Sequence, residues 1–250
     1  MCADVICSIN SNDNRSMPET VEAIAQAILG TPAPVLLPDT SSLLNIVEVV
    51  NAAEKVSPNI VPAALSILAR LQSTPRFLHI AVAQVVEKEW LDKHANKQKQ
   101  AAASLRRADE QTSYLWTIAS AMGSAPAVYT QFSGLQLSQR LHDLAENMMR
   151  LGMVIEDNDD SQYAAWRRSL GGDAPARPGN RAENDCLLVE QYLELCRRLR
   201  SAGFKQRCIF VTSNTRDFGE PKAPRPPLDL EFANTGIDFV YDFAAAAALL

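Results

Sequence analysis

Five short apolar runs limit what this chain can fold into more than any other feature. Val35-Leu36-Leu37 lies between Pro34 and Pro38, and Phe77 to Val82, Met153 to Ile155, Cys208 to Thr212 and Ile237 to Tyr241 follow. The first run is continuous rather than alternating in polarity, which marks a strand buried on both faces. Between the runs, apolar residues return at helical spacing. Val21, Ile24, Ala25 and Ile28 precede Gly30, and Leu43, Leu44, Val47 and Val50 follow the first run. Ala63, Leu65, Leu68 and Leu71 mark a helix over 60–72, and Leu188, Tyr192 and Leu195 mark one over 184–202. Residues 91–150 favour helix throughout, being rich in Ala, Leu, Gln, Lys and Arg. Residues 171–181 and 221–227 read as loops, the polar residues 1–17 as a loose arm, and the terminal alanine run as helical. Apolar strands separated by helices predict an α/β fold with a central parallel sheet of about five strands.

Composition narrows the function classes. With 29 acidic against 24 basic residues the net charge is −5, which argues against gripping nucleic acid through bulk charge. An RNA or DNA partner would need a local patch or metal ions. The five cysteines are odd in number and form no CxxC pair, so neither a disulfide framework nor a cysteine-rich zinc site is expected. The N-terminus lacks the charged and apolar regions of a signal peptide. The longest wholly apolar run, Phe243 to Leu250, falls far short of the ~20 residues a membrane span requires. A soluble, cytoplasmic protein is the expectation. No GxGxxG or GxxxxGK[ST] sequence occurs, which leaves dinucleotide-binding and P-loop readings without support.

In parallel α/β sheets, chemistry gathers beyond the carboxyl ends of the strands. Asp39 follows the first run, Glu89 lies about two helical turns past the second, and Asp217 sits in the Ser213–Phe218 segment after the fourth. Asp185 falls on the apolar stripe of the 184–202 helix, where an acid is costly unless something pairs with it. Each has an ordinary structural role open to it. Asp39 suits a helix N-cap and Asp185 a helix dipole, Glu89 an exposed helix face and Asp217 a turn. Together at one sheet edge, four carboxylates would repel one another unless they bound hard divalent cations.

The segments VLLPDTSSLLNIV, VAQVVEKEW, ENDCLLVEQYLEL and IFVTSNTRDF resemble, in order, the four signature blocks of the PIN domain nucleases. The resemblance spans about 34–218, and the closing strand extends it to about 241. It implies a three-layer α/β/α fold and a ribonuclease dependent on Mg²⁺ or Mn²⁺. Some members of the family are toxins of bacterial toxin–antitoxin pairs. By the same resemblance Asp39, Glu89, Asp185 and Asp217 form the catalytic, metal-binding site, with Thr40, Ser41 and Asn214 as polar groups behind it. Pro38 departs from the family's usual apolar residue before the first acid. Glu87 and Glu183 stand two residues from Glu89 and Asp185 and remain rivals for their places. The chain exceeds a minimal toxin of this kind by an N-terminal arm and helix over 1–30 and a helical insertion at about 91–150 within a domain over 31–250.

The implied substrate is RNA, with room for an antitoxin or other protein partner or a homo-oligomer. Lys93 and Lys97, on one face of a stretch without acids up to Arg107, offer a phosphate-binding patch or simply a solvated helix face. Arg177 and Arg181 before Asp185, and Arg216, are further candidates. Trp90 and Trp116 read as core residues, and His94 as a surface residue rather than a ligand. The acidic run 156–160 fails the EF-hand pattern, with Gln162 and Arg168 where Gly and Glu belong. Two other functions stay open: a catalytically inactive PIN-fold module that binds RNA or protein, and an unrelated phosphatase-like hydrolase. The latter would want a second Asp at position 41, which is Ser.

Overall fold

A computed structural model describes residues 17–51, 56–124 and 130–250; Cys2, Cys7 and nearly all of the expected N-terminal arm lie outside them. Strands β1 (Val35–Pro38), β2 (His79–Ala83), β3 (Met153–Ile155), β4 (Cys208–Val211) and β7 (Ile237–Val240) form one sheet in the order β3-β2-β1-β4-β7. Every pairing in it is parallel. Central β1 carries Val35, Leu36 and Leu37 fully buried, as a strand covered on both faces requires. A two-stranded antiparallel ribbon, β5 (Gly219–Glu220) with β6 (Ala223–Pro224), lies apart from the sheet and falls partly in the stretch read as loop.

Helices cover both faces, giving the expected three-layer α/β/α arrangement. One layer holds α2 (Thr40–Glu48), α3 (Ile60–Leu71), α4 (Gln84–Ala121), α5 (Leu137–Arg150) and α10 (Phe243–Leu249). The other holds α1 (Val21–Gly30), α6 (Asp159–Gly171), α7 (Glu183–Ser201) and α9 (Leu228–Thr235). A one-turn helix, α8 (Thr215–Phe218), follows β4. Val21, Ile24, Ala25 and Ile28 of α1 belong to the same hydrophobic core as the sheet.

Local chemistry sets the boundaries that differ from the sequence reading. Helix α1 begins at Val21 because the Thr20 hydroxyl accepts the Ala23 amide at 3.1 Å, an N-cap. Just before it, Glu19 exchanges backbone hydrogen bonds with the edge at β3. Strand β2 begins at His79, leaving Phe77 exposed. The acidic run 156–160 turns into α6, with Asn158 accepting the Ser161 amide at 2.9 Å. The helical stretch expected over 91–150 starts earlier, as α4, and is interrupted before α5. Helix α4 has 38 residues, about 57 Å at the α-helical rise. Where the chain turns back, buried Asp109 accepts the Phe132 and Ser133 amides at 2.6 and 2.8 Å. A carboxylate here does what a helix cap does elsewhere, satisfying backbone donors that have no other partner.

The strand order reverses direction between β1 and β4: β2 and β3 lie to one side, β7 to the other. Such a switch point opens a crevice at the strands' carboxyl ends. Tyr192 of α7 locks that edge from below. Its buried hydroxyl donates to the Pro38 carbonyl at 2.7 Å and accepts the Ala83 amide at 3.3 Å, so one side chain holds the ends of β1 and β2. Replacing Tyr192 with Phe leaves both backbone groups short of a partner in a dry site. The expected loss is about 1–3 kcal/mol of unfolding free energy, measured by urea denaturation; an unchanged midpoint would show that neither bond contributes.

Candidate active site

The switch point is where Asp39 lies. Its amide donates to the Val211 carbonyl at 2.8 Å, tying the end of β1 to the end of β4. Although it occupies the N-cap position of α2, its side chain makes no capping bond to that helix. It turns across the sheet edge instead. Ser41 Oγ and Thr212 Oγ1 both donate to Asp39 Oδ2, at 2.6 and 2.7 Å. The ordinary N-cap role is therefore not the one this residue fills. At 5% exposure the carboxyl is pushed above its usual range by burial, which outweighs the two hydroxyl bonds; the Glu89 charge pushes the same way.

Three further acids come to this edge. Asp185 stands in the first turn of α7, Glu89 in the second turn of α4, and Asp217 in α8. The Asp185 carboxyl is pushed up to about 7, first by burial and then by the charges of Asp39, Glu89 and Asp217. Glu89 is thus the α4 acid whose charge bears on both Asp39 and Asp185. Glu183, the rival of Asp185, faces outward beside Arg181 at 3.9 Å, its side chain 66% exposed.

Polar residues bridge the acids. Asn214 Nδ2 lies 3.1 Å from Asp217 Oδ2 and 3.5 Å from Asp185 Oδ2. Asn184 Nδ2 donates to Glu89 Oε1 at 3.2 Å. Thr40 Oγ1 is buried and has no hydrogen-bond partner among the described residues. Of the expected supporting groups, Ser41 and Asn214 hold acids through their side chains, while Thr40 meets Asp39 through its backbone only. Thr212, at the end of the fourth apolar run, is a third such group, and no local signal in the sequence marks it.

Basic residues occupy the flanks. Lys93 pairs with Glu89 at 3.1 Å, and Arg177 Nε lies 3.2 Å from Asp217 Oδ1, an ion pair poorly aligned for a hydrogen bond. Arg181 lines an open cleft of about 450 Å³ with Glu89, Asn180, Glu183, Asn184 and Asp185. Ala182, also in that cleft, holds a left-handed backbone at φ 44°, a conformation uncommon for a residue with a Cβ. Arg216 is exposed on α8. Lys97 is turned to a different task, an ion pair with Glu48 of α2. Trp90 is buried as expected. A larger cleft of about 630 Å³ lies elsewhere, between α1, α6 and α7.

The donor set suits a hard divalent cation: all-oxygen and carboxylate-rich. Asp39 Oδ1 accepts no side-chain hydrogen bond among the described residues, since both hydroxyls use Oδ2. Asp185 meets only the long Asn214 contact. These two would hold the ion most directly. Glu89 and Asp217 stand outside, engaged by Lys93 and Arg177. No three of the four acids bring an oxygen each within 4.8 Å of one another; among the described residues only His94, His142 and Glu146 meet that spacing. His94, expected at the surface, is half-buried and stacked on Trp90. The spacing of His142 and Glu146, one helical turn apart, was the signal for that cluster.

The chain matches no family model, no curated protein and no solved structure.

The raised Asp185 carboxyl has a stability consequence. Between its unfolded value near ~4 and its folded value of about 7, the folded state binds the extra proton. Stability is therefore present at low pH and lost as pH rises through that window. In chelator, the melting midpoint is expected to fall between about pH 4 and 7 more steeply in the wild type than in Asp185→Asn. Parallel curves would refute the assignment.

Proposed function

We propose that the protein is a metal-dependent endoribonuclease hydrolysing RNA phosphodiester bonds at the edge between β1 and β4, with Mg²⁺ or Mn²⁺ as cofactor. The observation that carries this reading is the meeting of four carboxylates from four separate elements at the sheet's switch point, two of them raised first by burial and then by neighbouring negative charge. Burying unpaired acids is costly, and a cation offsets that cost. The likeness of the four segments to PIN domain blocks supports the same reading.

In it, Asp39 and Asp185 hold the ion, with Glu89 and Asp217 as direct or water-mediated partners. Bound there, a divalent ion supplies Lewis acidity and lowers the pKa of an attacking water. The chain's own groups do the rest. Ser41 and Thr212 fix the Asp39 carboxylate by holding Oδ2, which leaves Oδ1 without a side-chain donor. Asn214 keeps Asp185 and Asp217 in register. Without a cation, the Asp185 carboxyl retains a proton near neutral pH, so loading the site releases it. Arg181 and Arg216 would meet the phosphate backbone, and with a cation held by the acids Lys93 and Arg177 would be free to turn from their carboxylate partners toward phosphate.

A specific observation favours a second reading, the inactive RNA- or protein-binding module. With Lys93 on Glu89 and Arg177 on Asp217, half of the acids are already neutralised without a metal. Incubation with single-stranded and structured RNA in Mg²⁺, Mn²⁺ or chelator separates the two. The expected result is cutting that needs the metal and falls at least ~100-fold in Asp39→Asn and in Asp185→Asn. Outer-shell partners alone are typically worth 10–100-fold. Cutting in chelator, or undiminished in both variants, would refute the nuclease assignment; RNA binding without cutting would favour the module.

A further inference from the structure

A second cluster with the chemistry of a metal site lies on the other side of α4. Starting from Glu89, His94 is five residues on, a rotation of about 140° around the helix, so it faces away from the carboxylate edge. It meets His142 and Glu146, which stand one turn apart on α5. One ligand atom from each of the three residues lies within 4.8 Å of the others. Two imidazoles and a carboxylate form a donor set quite unlike the all-oxygen edge. It suits a borderline ion such as Zn²⁺ better than Mg²⁺.

We propose that His94, His142 and Glu146 bind one Zn²⁺ ion between α4 and α5, at a site separate from the carboxylate edge. The ligand atoms are nearly in place. His94 Nδ1 and His142 Nε2 lie 2.7 Å apart. Two nitrogens on a tetrahedral Zn²⁺ at ~2.0–2.1 Å stand roughly 3.3 Å apart, so a small opening of the rings admits the ion. Both rings lie against Trp90, with centroids at 5.4 and 5.9 Å, and that indole limits how far they can turn.

The outer groups are those a zinc site uses to orient its ligands. Trp90 Nε1 donates to Glu146 Oε2 at 2.7 Å and fixes the carboxylate. The second nitrogen of His142, Nδ1, is buried without a hydrogen bond among the described residues, and Asp143 Oδ1 lies 3.6 Å from it. Gln139 holds that same oxygen at 2.7 Å. With Nε2 on the metal, Nδ1 carries the proton toward Asp143, the carboxylate–histidine–metal pattern. All three ligands are half-buried, so water has access to the fourth position. An ion here ties α5 to the segment of α4 one turn beyond Glu89. The site does not depend on the nuclease reading.

The test uses the full chain, stripped of metal with chelator and titrated with ZnCl₂ by calorimetry and by thermal melting. One Zn²⁺ per chain at micromolar concentration is expected, with a rise in melting midpoint. Co²⁺ in its place should give the visible absorption of a four-coordinate ion. The double variant His94→Gln/His142→Gln should bind at least about a hundredfold more weakly, while melting like the wild type in chelator. The double variant Asp39→Asn/Asp185→Asn should keep both the binding and the Co²⁺ spectrum. Absence of stoichiometric binding by the wild type, binding that survives loss of both histidines, or binding that vanishes with the two aspartates would each overturn the proposal. RNA cleavage plays no part in these readouts, so its failure leaves this site untouched.

Discussion

A carboxylate buried at the end of the central strand is the constraint around which the rest of this molecule is arranged. Asp39 closes β1 where the strand order reverses, and its surroundings are built to tolerate a group that would rather be in water. Ser41 from the next helix and Thr212 from the neighbouring strand both donate to one oxygen. The backbone of the same residue is tied to Val211. Burial still wins over these bonds and raises the carboxyl. A site whose local bonds do not fully compensate a buried charge retains an affinity for something positive. Asp39 lies at the strands' carboxyl ends, so that is the side from which such a partner would reach it.

Helix α7 connects this electrostatic arrangement to the hydrophobic core. Its stripe of Leu188, Tyr192 and Leu195 is fully buried, which fixes its rotation against the sheet. That rotation in turn brings Asp185 to the edge, one turn before Leu188. Tyr192 then spans from the same helix to the ends of β1 and β2. Packing energy is thus what holds two like charges, Asp39 and Asp185, near each other. No attraction between the carboxylates is needed, and the raised Asp185 carboxyl records first its burial and then the repulsion that packing overcomes. On the opposite side, buried Arg168 joins α6 to Glu190 of α7 and Glu231 of α9 at 2.7 and 2.6 Å, so α7 is braced from behind as well.

Much of this was legible in the sequence, because period and strand ends carry it. Continuous apolar runs such as Val35–Leu37 and Cys208–Val211 announce buried parallel strands, and an acid one residue past Pro38 and another six past Val211 mark the candidate edge. Asp185 was legible because it breaks an apolar stripe. What escaped was decided by contacts between distant segments. Nothing near Thr212 says that its hydroxyl will meet Asp39 across 173 positions. Lys97 looked like part of a basic face but is taken by Glu48 of α2, a pairing set by how α4 crosses that helix. His94 read as a surface residue because its neighbours are basic; its partners come from α5, 48 and 52 positions on.

Helix α4 shows how one element can serve two chemistries. Its first three turns deliver Glu89 and Lys93 to the carboxylate edge, while Trp90 and His94, on the other face, enter the contact with α5. Because a helix is stiff over this distance, a shift of Trp90 against α5 must move Glu89 relative to Asp185. The net charge of −5 fits the same picture. The negative charge that argues against gripping nucleic acid by bulk attraction is concentrated in part at an edge where a divalent ion would reverse the local field. Lys93, Arg177 and Arg181 already stand around that edge. Once a cation holds the acids, those three bases face outward as the charge that a phosphate chain would meet.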